Sequence, residues 1–534
     1  MKRWSLAVLV AAATALALWA TWGNEKTAGD SAYPAWRTPL GWAGEVGLLA
    51  GDGVRGARDG APAQARFDDP FGLARAEDGT VYVADAGDNN RIRRIHPDGR
   101  VDTLAGAREG FADGRGDQAA FHTPSALALA ADGTIYVADT GNHAIRRIAP
   151  DGMVTTLAGD GQRGFVDGRG TAARFDGPMG LALAADGRLY VADSYNDRIR
   201  VIETDGNVRT VAGDGVPGWR DGPALSARFD TPVGIALDRH GTLWVADTGN
   251  DALRRLHTDG SVETRMGGDP ARRQLYRPMS VAVTADDVVY LGELVTGRIL
   301  QVSPSGHVSV PFGLDEAQRF ARPASLLALP DHAVLVTDAT AHRVHRLAPL
   351  PPGQLRPRRA VLGPSMDDPL PRTASRWPLH PQLGWHEVVG TLGEVRGNFR
   401  GDNRDHLHTG FDVRGDVGQR VLAVADAKID SPLPSGSAGG QAENLALHAL
   451  TYIHMKVGRD AGNQLLDAAR FQLLRDEHVR ISRVRVRRGT RFSAGDALGT
   501  INNQAHVHLA LGARGFERNA VSLGFANFVD TVPP

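Results

Sequence analysis

A motif that recurs at nearly regular intervals occupies most of the first two thirds of this 534-residue chain. Its four clearest copies read VYVADAGDNNRIRRI, IYVADTGNHAIRRI, LYVADSYNDRIRVI and LWVADTGNDALRRL, and two divergent copies, YLGELVTGRILQV and VLVTDATAHRVHRL, follow. The acidic residues at the equivalent position of the six copies are Asp85, Asp139, Asp193, Asp247, Glu293 and Asp338. The successive intervals are 54, 54, 54, 46 and 45 residues. A period of this length indicates stacked supersecondary units, because one copy cannot bury its apolar face alone.

Each copy contains four short segments that resemble strands. In the third copy they read GLALAADG, LYVAD, RIRVI and VRTVAG. Apolar residues alternate with polar ones within these segments, and Asp-Gly and Gly-Asn turns separate the segments in the repeat, which predicts antiparallel strands. Four strands per repeat are typical of a propeller blade.

The two ends of the repeat region complement each other. The sixth copy ends at RVHRLAPL without an outer strand of its own, whereas EVGLLAGDG, residues 45–53, matches the end of a blade whose beginning is absent. We therefore predict that the N-terminal strand completes the sixth blade and closes the ring, which removes exposed sheet edges.

The motif VADxxNxxIRxI, followed by a Gly-flanked VTTLAG strand, resembles the NHL repeat family over residues 41–350. The resemblance implies a six-bladed NHL-type β-propeller. Propellers of this kind mostly present a binding face, so it also implies recognition of a protein, a glycan or another envelope component.

An Asp-Gly pair recurs in the loops between copies, at Asp59, Asp113, Asp167 and Asp221. These carboxylates have two interpretations: a ring of cation ligands, or turns in which Asp accepts local backbone hydrogen bonds and Gly adopts positive φ. We favour the turns. The Asn and Arg repeated in VADTGN…IRRI are interpreted as ties between strands.

The first 26 residues, MKRWSLAVLVAAATALALWATWGNEK, combine a basic start with about 19 apolar or small residues. This pattern predicts an export segment. Its length lies between that of a cleaved signal and that of an anchor of about 20 residues, and both alternatives stay open. The chain is therefore expected in the periplasm or elsewhere in the cell envelope, with a membrane anchor if the segment is retained.

Charge and cysteine content exclude some classes of partner and site. The 60 basic and 61 acidic residues create no global field that would draw the protein to nucleic acid. The chain has no cysteine, so any metal must be held by histidines and carboxylates.

The composition changes after the repeats. Residues 351–384 are rich in Pro and Arg and are predicted to be a linker. Residues 385–534 form the predicted second domain, and nine of the 18 histidines fall in residues 380–534. This excess favours a metal site without establishing one.

The spacing of potential ligands strengthens the metal interpretation. In HTGFD, His408 and Asp412 are four residues apart. On an extended strand they would share one face, and Gly410 between them would leave room for an ion.

Two further segments place histidines opposite an apolar strand face. In HVHLAL, His506 and His508 share one face, and the opposite face carries Val507, Leu509 and Leu511. In TYIHMKV, His454 is expected opposite a core-facing side that carries Ile453, Met455 and Val457.

In order, HTGFD, VGQRVLAVADAKI, YIHM, VRRGTRFSAGDALGTI and HVHLALG resemble the lysostaphin-like zinc endopeptidase family over residues 385–534. The resemblance implies an antiparallel β-sheet peptidase domain with one Zn²⁺ per chain. It makes His408, Asp412 and His508 the zinc ligands, and His454 and His506 the catalytic pair that handles protons. It implies peptidoglycan peptide as the substrate.

The chain departs from the family pattern at several points. HLHFE is replaced by HVHLA, the approach to this motif reads NNQA, and NQLLDAARFQLLRDE, residues 463–477, is expected to be a helical insertion. These changes leave the bond specificity open. His406 is a rival ligand to His408, and the HxGxD register favours His408.

The sequence thus predicts an all-β chain, a six-bladed propeller followed by a lysostaphin-like domain. The favoured function is an exported zinc endopeptidase that cuts peptide bonds of peptidoglycan, with the propeller as a binding module. The alternatives are an idle lysostaphin-like domain that activates another cell-wall hydrolase, and an envelope interaction protein based on the propeller.

Overall fold

The computed structural model describes residues 38–315, 318–350, 362–396, 406–476, 478–512 and 515–528. The expected export segment, residues 1–26, lies outside the described residues. Within the described ranges, no helix is both long enough and apolar enough to cross a membrane. Contacts divide the chain into residues 1–39, of which Thr38 and Pro39 are described, and a compact unit from Leu40 to Pro534.

The first part of this unit is formed by hairpin-connected antiparallel sheets. The first strands are β1 (Gly44–Ala50), β2 (Pro70–Arg75), β3 (Val81–Asp85), β4 (Arg91–Ile95) and β5 (Val101–Ala105). Next come β6 (Gly114–Arg115), β7 (Pro124–Leu129), β8 (Ile135–Asp139), β9 (Ala144–Ile148) and β10 (Met153–Ala158). The third group is β11 (Gly168–Arg169), β12 (Pro178–Leu183), β13 (Leu189–Asp193), β14 (Arg198–Ile202) and β15 (Asn207–Ala212).

The later repeats follow the same plan. Their strands are β16 (Gly222–Pro223), β17 (Pro232–Leu237), β18 (Leu243–Asp247), β19 (Ala252–Leu256), β20 (Ser261–Gly267), β21 (Pro278–Val283), β22 (Val289–Glu293), β23 (Ile299–Val302), β24 (Val308–Phe312), β25 (Pro323–Ala328), β26 (Val334–Asp338) and β27 (Arg343–Pro349). Short 3-10 helices lie at Gly116–Gln118, Thr140–Asn142, Gly170–Ala172, Ser194–Asn196, Ala224–Ser226, Thr248–Asn250 and Pro270–Arg272.

The innermost strands of these sheets form a ring. Neighbouring contacts run from β2 through β7, β12, β17, β21 and β25 and back to β2. The same strands line a central cavity of about 370 Å³. The last sheet has the order β1-β27-β26-β25, with Val46 opposite Leu347. The pairing of the N-terminal strand with the last repeat is therefore confirmed.

Buried arginines tie each of the four clearest repeats together. Arg200 is fully buried, and its Nη1 lies 2.9 Å from Asp193 Oδ2 of the VAD triplet. Its Nη2 lies 2.5 Å from Asp167 Oδ1 in the preceding loop. The equivalent arginines, with the same two partners, are Arg93, Arg146 and Arg254. The repeated Arg is a tie between strands, as expected.

The aspartates of the Asp-Gly loops bind a buried arginine and the outer strand rather than their own turn. Asp167 accepts hydrogen bonds from Arg200 and from Thr210 on the outer strand. The expected local backbone hydrogen bonds are wrong for Asp167, because its partners lie on distant strands, but the expected positive φ of the following residue is confirmed at Gly168, at +156°. The same contacts occupy Asp113 and Asp221.

The second part of the unit contains smaller sheets. Its strands are β28 (Val388–Gly390), β29 (Val395–Arg396), β30 (His406–Leu407), β31 (Phe411–Arg414), β32 (Arg420–Leu422), β33 (Ala427–Lys428), β34 (Asn444–Leu447), β35 (Leu450–Ile453), β36 (Met455–Val457), β37 (Phe471–Arg475), β38 (Ile481–Val486), β39 (Arg491–Phe492), β40 (Ala497–Ile501) and β41 (His506–Leu511). The central sheet has the order β28-β31-β41-β35-β34, and a 3-10 helix lies at Ala520–Leu523.

One apolar core supports this second part, and it includes residues that the sequence assigned to the linker. Trp377 and Leu379 are fully buried against Phe411 and other core residues. Residues 351–361 of the expected linker lie outside the described residues. The C-terminal core therefore begins before the expected boundary at residue 385, because Trp377 supplies a large apolar surface to it.

The expected helical insertion is wrong in the described residues. Phe471–Arg475 forms β37, which pairs antiparallel with β38. Phe471 and Leu474 are buried, and Phe471 contacts Phe492. Cross-strand packing has overridden the helical preference of the segment.

Strand β38 and the turn after it lie on the face of the ring that carries the VAD acidic residues. Arg485 Nη2 lies 2.7 Å from Asp197 Oδ1, and both side chains are 2% exposed. Arg487 Nη2 lies 2.7 Å from Asp176 Oδ2. Further ion pairs across this contact join Arg483 to Asp230, Arg488 to Asp69, and Arg491 to both Asp88 and Glu109. The second part is therefore docked on the ring through charge pairs, of which those of Arg485 and Arg488 are buried.

Candidate metal centre

The three residues expected to bind zinc converge in the second part. Asp412 on β31 lies directly opposite His508 on β41, and His408 precedes β31. His508 Nδ1 is 2.8 Å from Asp412 Oδ1 and 2.9 Å from His408 Nε2. His408 Nε2 is 3.2 Å from Asp412 Oδ1. Among the described residues this is the cluster whose ligand atoms could hold a metal ion.

The local backbone explains how the ligands come together. Phe411 and Val413 of β31 are fully buried in the core, so alternation turns Asp412 to the other side of the strand. His408 is not on the same strand as expected, because residues 408–410 are irregular. A Cβ at position 410 would lie 2.3 Å from His508 Nε2, so only Gly410 allows this close approach.

Hydrogen bonds and charge define the state of the ligands. His408 Nδ1 lies 2.8 Å from the carbonyl oxygen of Thr391, which can only accept, so Nδ1 carries the proton and Nε2 is the ligand nitrogen. Burial by itself would raise the pKa of Asp412, but the adjacent His408 and His508 outweigh it and hold that pKa far below its usual range. The Asp412 carboxylate is therefore ionised.

The donor set fits a zinc ion. Two imidazole nitrogens and one carboxylate oxygen lie within 3.2 Å of one another, on side chains that are almost completely buried. Three protein ligands of these types leave one position open, as catalytic zinc sites do.

His454 lies beside this cluster at a break in the sheet. Its φ of +67° separates β35 from β36. Met455 and Val457 are buried as expected, but Tyr452 replaces Ile453 on the core side. The expected register was wrong at Ile453 because the left-handed residue interrupts the alternation.

His506 lies against His454, with 4.6 Å between the ring centroids. The Nε2 atom of His506 is 3.8 Å from Asp412 Oδ1. His454 Nδ1 lies 2.8 Å from the carbonyl oxygen of Gln441, and His506 Nδ1 lies 2.8 Å from the carbonyl oxygen of Gln504. Because a carbonyl only accepts, each Nδ1 carries a proton, and Nε2 of the neutral ring is left as the basic nitrogen. Burial is the largest cause that lowers the pKa of His454.

The structure thus brings together all five site residues that the sequence predicted. The side chain of the rival ligand His406 lies outside the described ones. Sequence reasoning missed the carbonyls of Thr391, Gln441 and Gln504, which orient three of the histidines. A backbone carbonyl leaves no residue-type signal in a sequence.

The comparisons with known proteins concern the repeats. Residues 121–148 and 175–202 match the family described as NHL repeat. The chain is 33% identical over 189 residues to Protein SUPPRESSOR OF QUENCHING 1, chloroplastic, of Arabidopsis thaliana, with 33% of this chain and 18% of that protein covered. It is 31% identical over 244 residues to NHL repeat-containing protein 2 of Bos taurus, with 40% and 34% covered. The chain therefore spans about a fifth to a third of these relatives, and it contains NHL repeats.

Solved structures also resemble the chain. A streptogramin B lyase is 14% identical, with a TM-score of 0.38, and the match covers 60% of this chain and 100% of that one. A protein of unknown function from Bacteroides thetaiotaomicron is 17% identical, with a TM-score of 0.44, and the match covers 57% and 76%. TM-scores this low do not indicate an activity for this chain.

Proposed function

We propose that the chain is a zinc-dependent endopeptidase that cuts peptide bonds of peptidoglycan. The observation that carries the proposal is the convergence of His408, Asp412 and His508 within 3.2 Å of one another, with His454 and His506 beside them. The choice of peptidoglycan peptide as substrate rests on the resemblance of HTGFD, YIHM and HVHLALG to the lysostaphin-like family.

The ligand residues would hold one Zn²⁺ through His408 Nε2, Asp412 Oδ1 and His508 Nδ1. When bound, zinc would lower the pKa of a water molecule and polarise the carbonyl of the scissile bond. Asp412 contributes a negative charge, and the hydrogen bond from His408 to Thr391 keeps that ring in the ligand orientation.

His454 and His506 supply the proton chemistry in this proposal. In the neutral form of either ring Nε2 is the basic nitrogen, because Nδ1–H is donated to a carbonyl. One ring, in that form, would accept a proton from the attacking water; the other, with both nitrogens protonated, would donate from Nε2 to the oxyanion or to the leaving amine. The lowered pKa of His454 favours the neutral, proton-accepting form at neutral pH.

The NHL repeats are proposed to form one six-bladed propeller that carries this domain in the periplasm or cell envelope. Its VAD face is occupied by the second part of the chain. A protein or glycan ligand would therefore bind at the opposite face or at the outer strands. Residues 1–26 would direct the chain to the envelope and, if they are not cleaved, would also anchor it to the membrane.

The metal centre lies away from the docked face. Strand β41 runs from His506 at the centre to Leu511, which lines a cavity together with Asp69 and Arg322 of the propeller. From the ligand His508 to Leu511 there are three residue steps, which span roughly 10 Å along a strand. The propeller thus contacts the sheet at the end of β41 that lies away from the histidine pair.

Hydrolysis of purified peptidoglycan by the full-length protein tests the proposal. Metal analysis should find one zinc per chain, a chelator should abolish release of cut peptides, and added zinc should restore it. His508→Ala should lose both zinc and activity, whereas His478→Ala, at an exposed histidine of the β37–β38 turn, should retain both. Zinc binding without hydrolysis would favour the idle activator instead, and full zinc occupancy in His508→Ala would contradict the ligand assignment.

A further inference from the structure

The side-chain amide of Asn502 contacts both backbone segments that orient the histidine pair. Its Nδ2 donates to the carbonyl of Gln441 at 2.9 Å, and its Oδ1 accepts from the backbone N–H of Gln504 at 3.0 Å. The carbonyls of these same two residues accept Nδ1–H of His454 and His506 at 2.8 Å. One buried amide therefore links the partners of both rings.

The segment that carries Gln441 depends on such contacts for its position. Residues 439–442 are exposed, and the first of them, Gly439, has a φ of +79°. Glu443, directly after the segment, accepts a hydrogen bond from the Gly439 N–H at 2.8 Å and pairs with Arg459. These contacts hold the two ends of the segment together. Gln441 itself is held by the side-chain amide of Asn502. The backbone N–H of Asn502 in turn donates to the carbonyl of His454 at 3.0 Å.

Asparagine suits this position because its amide both donates and accepts. Asp in its place could accept from Gln504 but could not donate to Gln441, and Ala could do neither. The side chain of Asn502 is 8% exposed, so water does not readily replace its hydrogen bonds.

We propose that Asn502 is the positioning residue of the histidine pair, an inference that rests on the proposed function. By holding the Gln441 carbonyl and the Gln504 peptide, it keeps both rings protonated on Nδ1 and basic at Nε2. It contacts no zinc ligand through its side-chain hydrogen bonds. Its loss should therefore affect turnover and leave the metal in place.

The kinetic test compares Asn502→Ala and Asn502→Asp with Asn444→Ala in the full-length protein. Asn444 is the matched control because its amide donates to the carbonyl of Ala442 at 2.9 Å in the same segment but reaches neither orienting carbonyl. For Asn502→Ala we expect kcat to fall about 10- to 100-fold, as for other outer partners of catalytic groups. KM should change less than about twofold, and zinc should stay at one per chain. Loss of zinc, or an equal loss of kcat in Asn444→Ala, would overturn the proposal.

A spectroscopic test is independent of peptidase activity. Histidine-selective ¹⁵N NMR of the zinc-loaded full-length chain at a fixed, slightly alkaline pH reports which nitrogen carries the proton, and His454→Gln and His506→Gln assign the signals. Asn502→Asp should mix the tautomers of His454 and spare His506, whereas Asn502→Ala should mix both. Unchanged tautomers in both variants would overturn the role of Asn502. Absent hydrolysis in the wild type, with the expected tautomer changes, would overturn the proposed function alone.

Discussion

Replacing Arg485 with Met tests how the second part of the chain is held on the propeller. The Arg485 side chain is 2% exposed, and its Nη2 lies 2.7 Å from Asp197 Oδ1. It also donates to the carbonyl of Tyr195 at 2.8 Å and to Thr231 Oγ1 at 3.2 Å. Met keeps most of the apolar stem and removes the charge and these hydrogen bonds.

The expected loss of stability depends on pH through Asp197. Burial raises the pKa of this carboxyl from 3.8 to about 6 even though Arg485 lowers it. Because the folded pKa is the higher one, the folded protein binds more protons between these values, and stability falls as the pH rises through this window. Without Arg485 the pKa of Asp197 rises further, so the pH range over which stability falls extends to higher pH. Within that range the free energy of unfolding falls by about 1.4 kcal/mol per pH unit.

The loss in the free energy of unfolding combines the ion pair with Asp197 and the hydrogen bonds from Arg485. At pH 8, Asp197 would be left charged or forced to protonate, and breaking such a buried pair costs about 3–5 kcal/mol. At pH 5, Asp197 is mostly protonated in both proteins, so the loss is limited to the hydrogen bonds from Arg485, at roughly 1–2 kcal/mol in total, and to its 3.5 Å contact with Asp230. Arg483 still pairs with Asp230 at both pH values. The difference between the two proteins should therefore grow with pH.

Denaturant unfolding of the full-length proteins at pH 5 and pH 8 measures this difference. Arg480→Met is the control, because Arg480 lies next to the same strand and pairs with Asp476 at 2.9 Å while its side chain is 74% exposed. It should change the free energy of unfolding by no more than about 0.5 kcal/mol. An Arg485→Met effect that is equal at both pH values, or no larger than that of the control, would refute the reasoning.

Three further predictions concern other parts of the chain. Deleting residues 44–50 should lower the melting temperature, because the last sheet loses its outer strand and β27 gains an open edge; an unchanged melt would contradict this ring closure. His506→Ala should lower kcat by roughly 10²–10⁴-fold with zinc retained, whereas His508→Ala should lose zinc; metal analysis with the opposite result would reverse their roles. Burial lowers the pKa of His345 from 6.5 to about 3, so the stability that this neutral ring provides above pH 6.5 is lost as the pH falls toward 3. His345→Phe, which keeps a ring beside Phe320, should flatten the loss of stability measured by urea unfolding between pH 7 and pH 4, and an unaltered slope would count against the buried neutral form.

The sequence predicted which residues meet at the candidate metal centre because they lie in short local patterns. In HVHLAL, alternation alone separates His508 from the buried Val507 and Leu509. In HTGFD, residues 408–410 are irregular and β31 begins only at Phe411, but Gly410 still permits the close approach of His508. The three residues meet although the local geometry differs from a continuous strand, and their role as zinc ligands stays a prediction.

The insertion at residues 463–477 shows where local patterns fail. Its composition favours a helix, yet Phe471–Arg475 pairs with β38. The partner strand brings arginines that are buried against acidic residues of the propeller, such as Asp197, 288 positions away from Arg485. A helix at this place would not present the edge to which β38 binds.

The sequence alone determined the repeat, its strand-and-turn plan, the shared N-terminal strand and the types of ligand at the metal cluster. These follow from periodicity and spacing, which operate over a few residues or a fixed interval. Only the tertiary structure decided which carboxylate pairs with which arginine, the left-handed break at His454 and the carbonyls that orient His454 and His506. Those features depend on desolvation and on hydrogen bonds between distant segments, because a buried charge or N–H must find a partner in space whatever its distance along the chain.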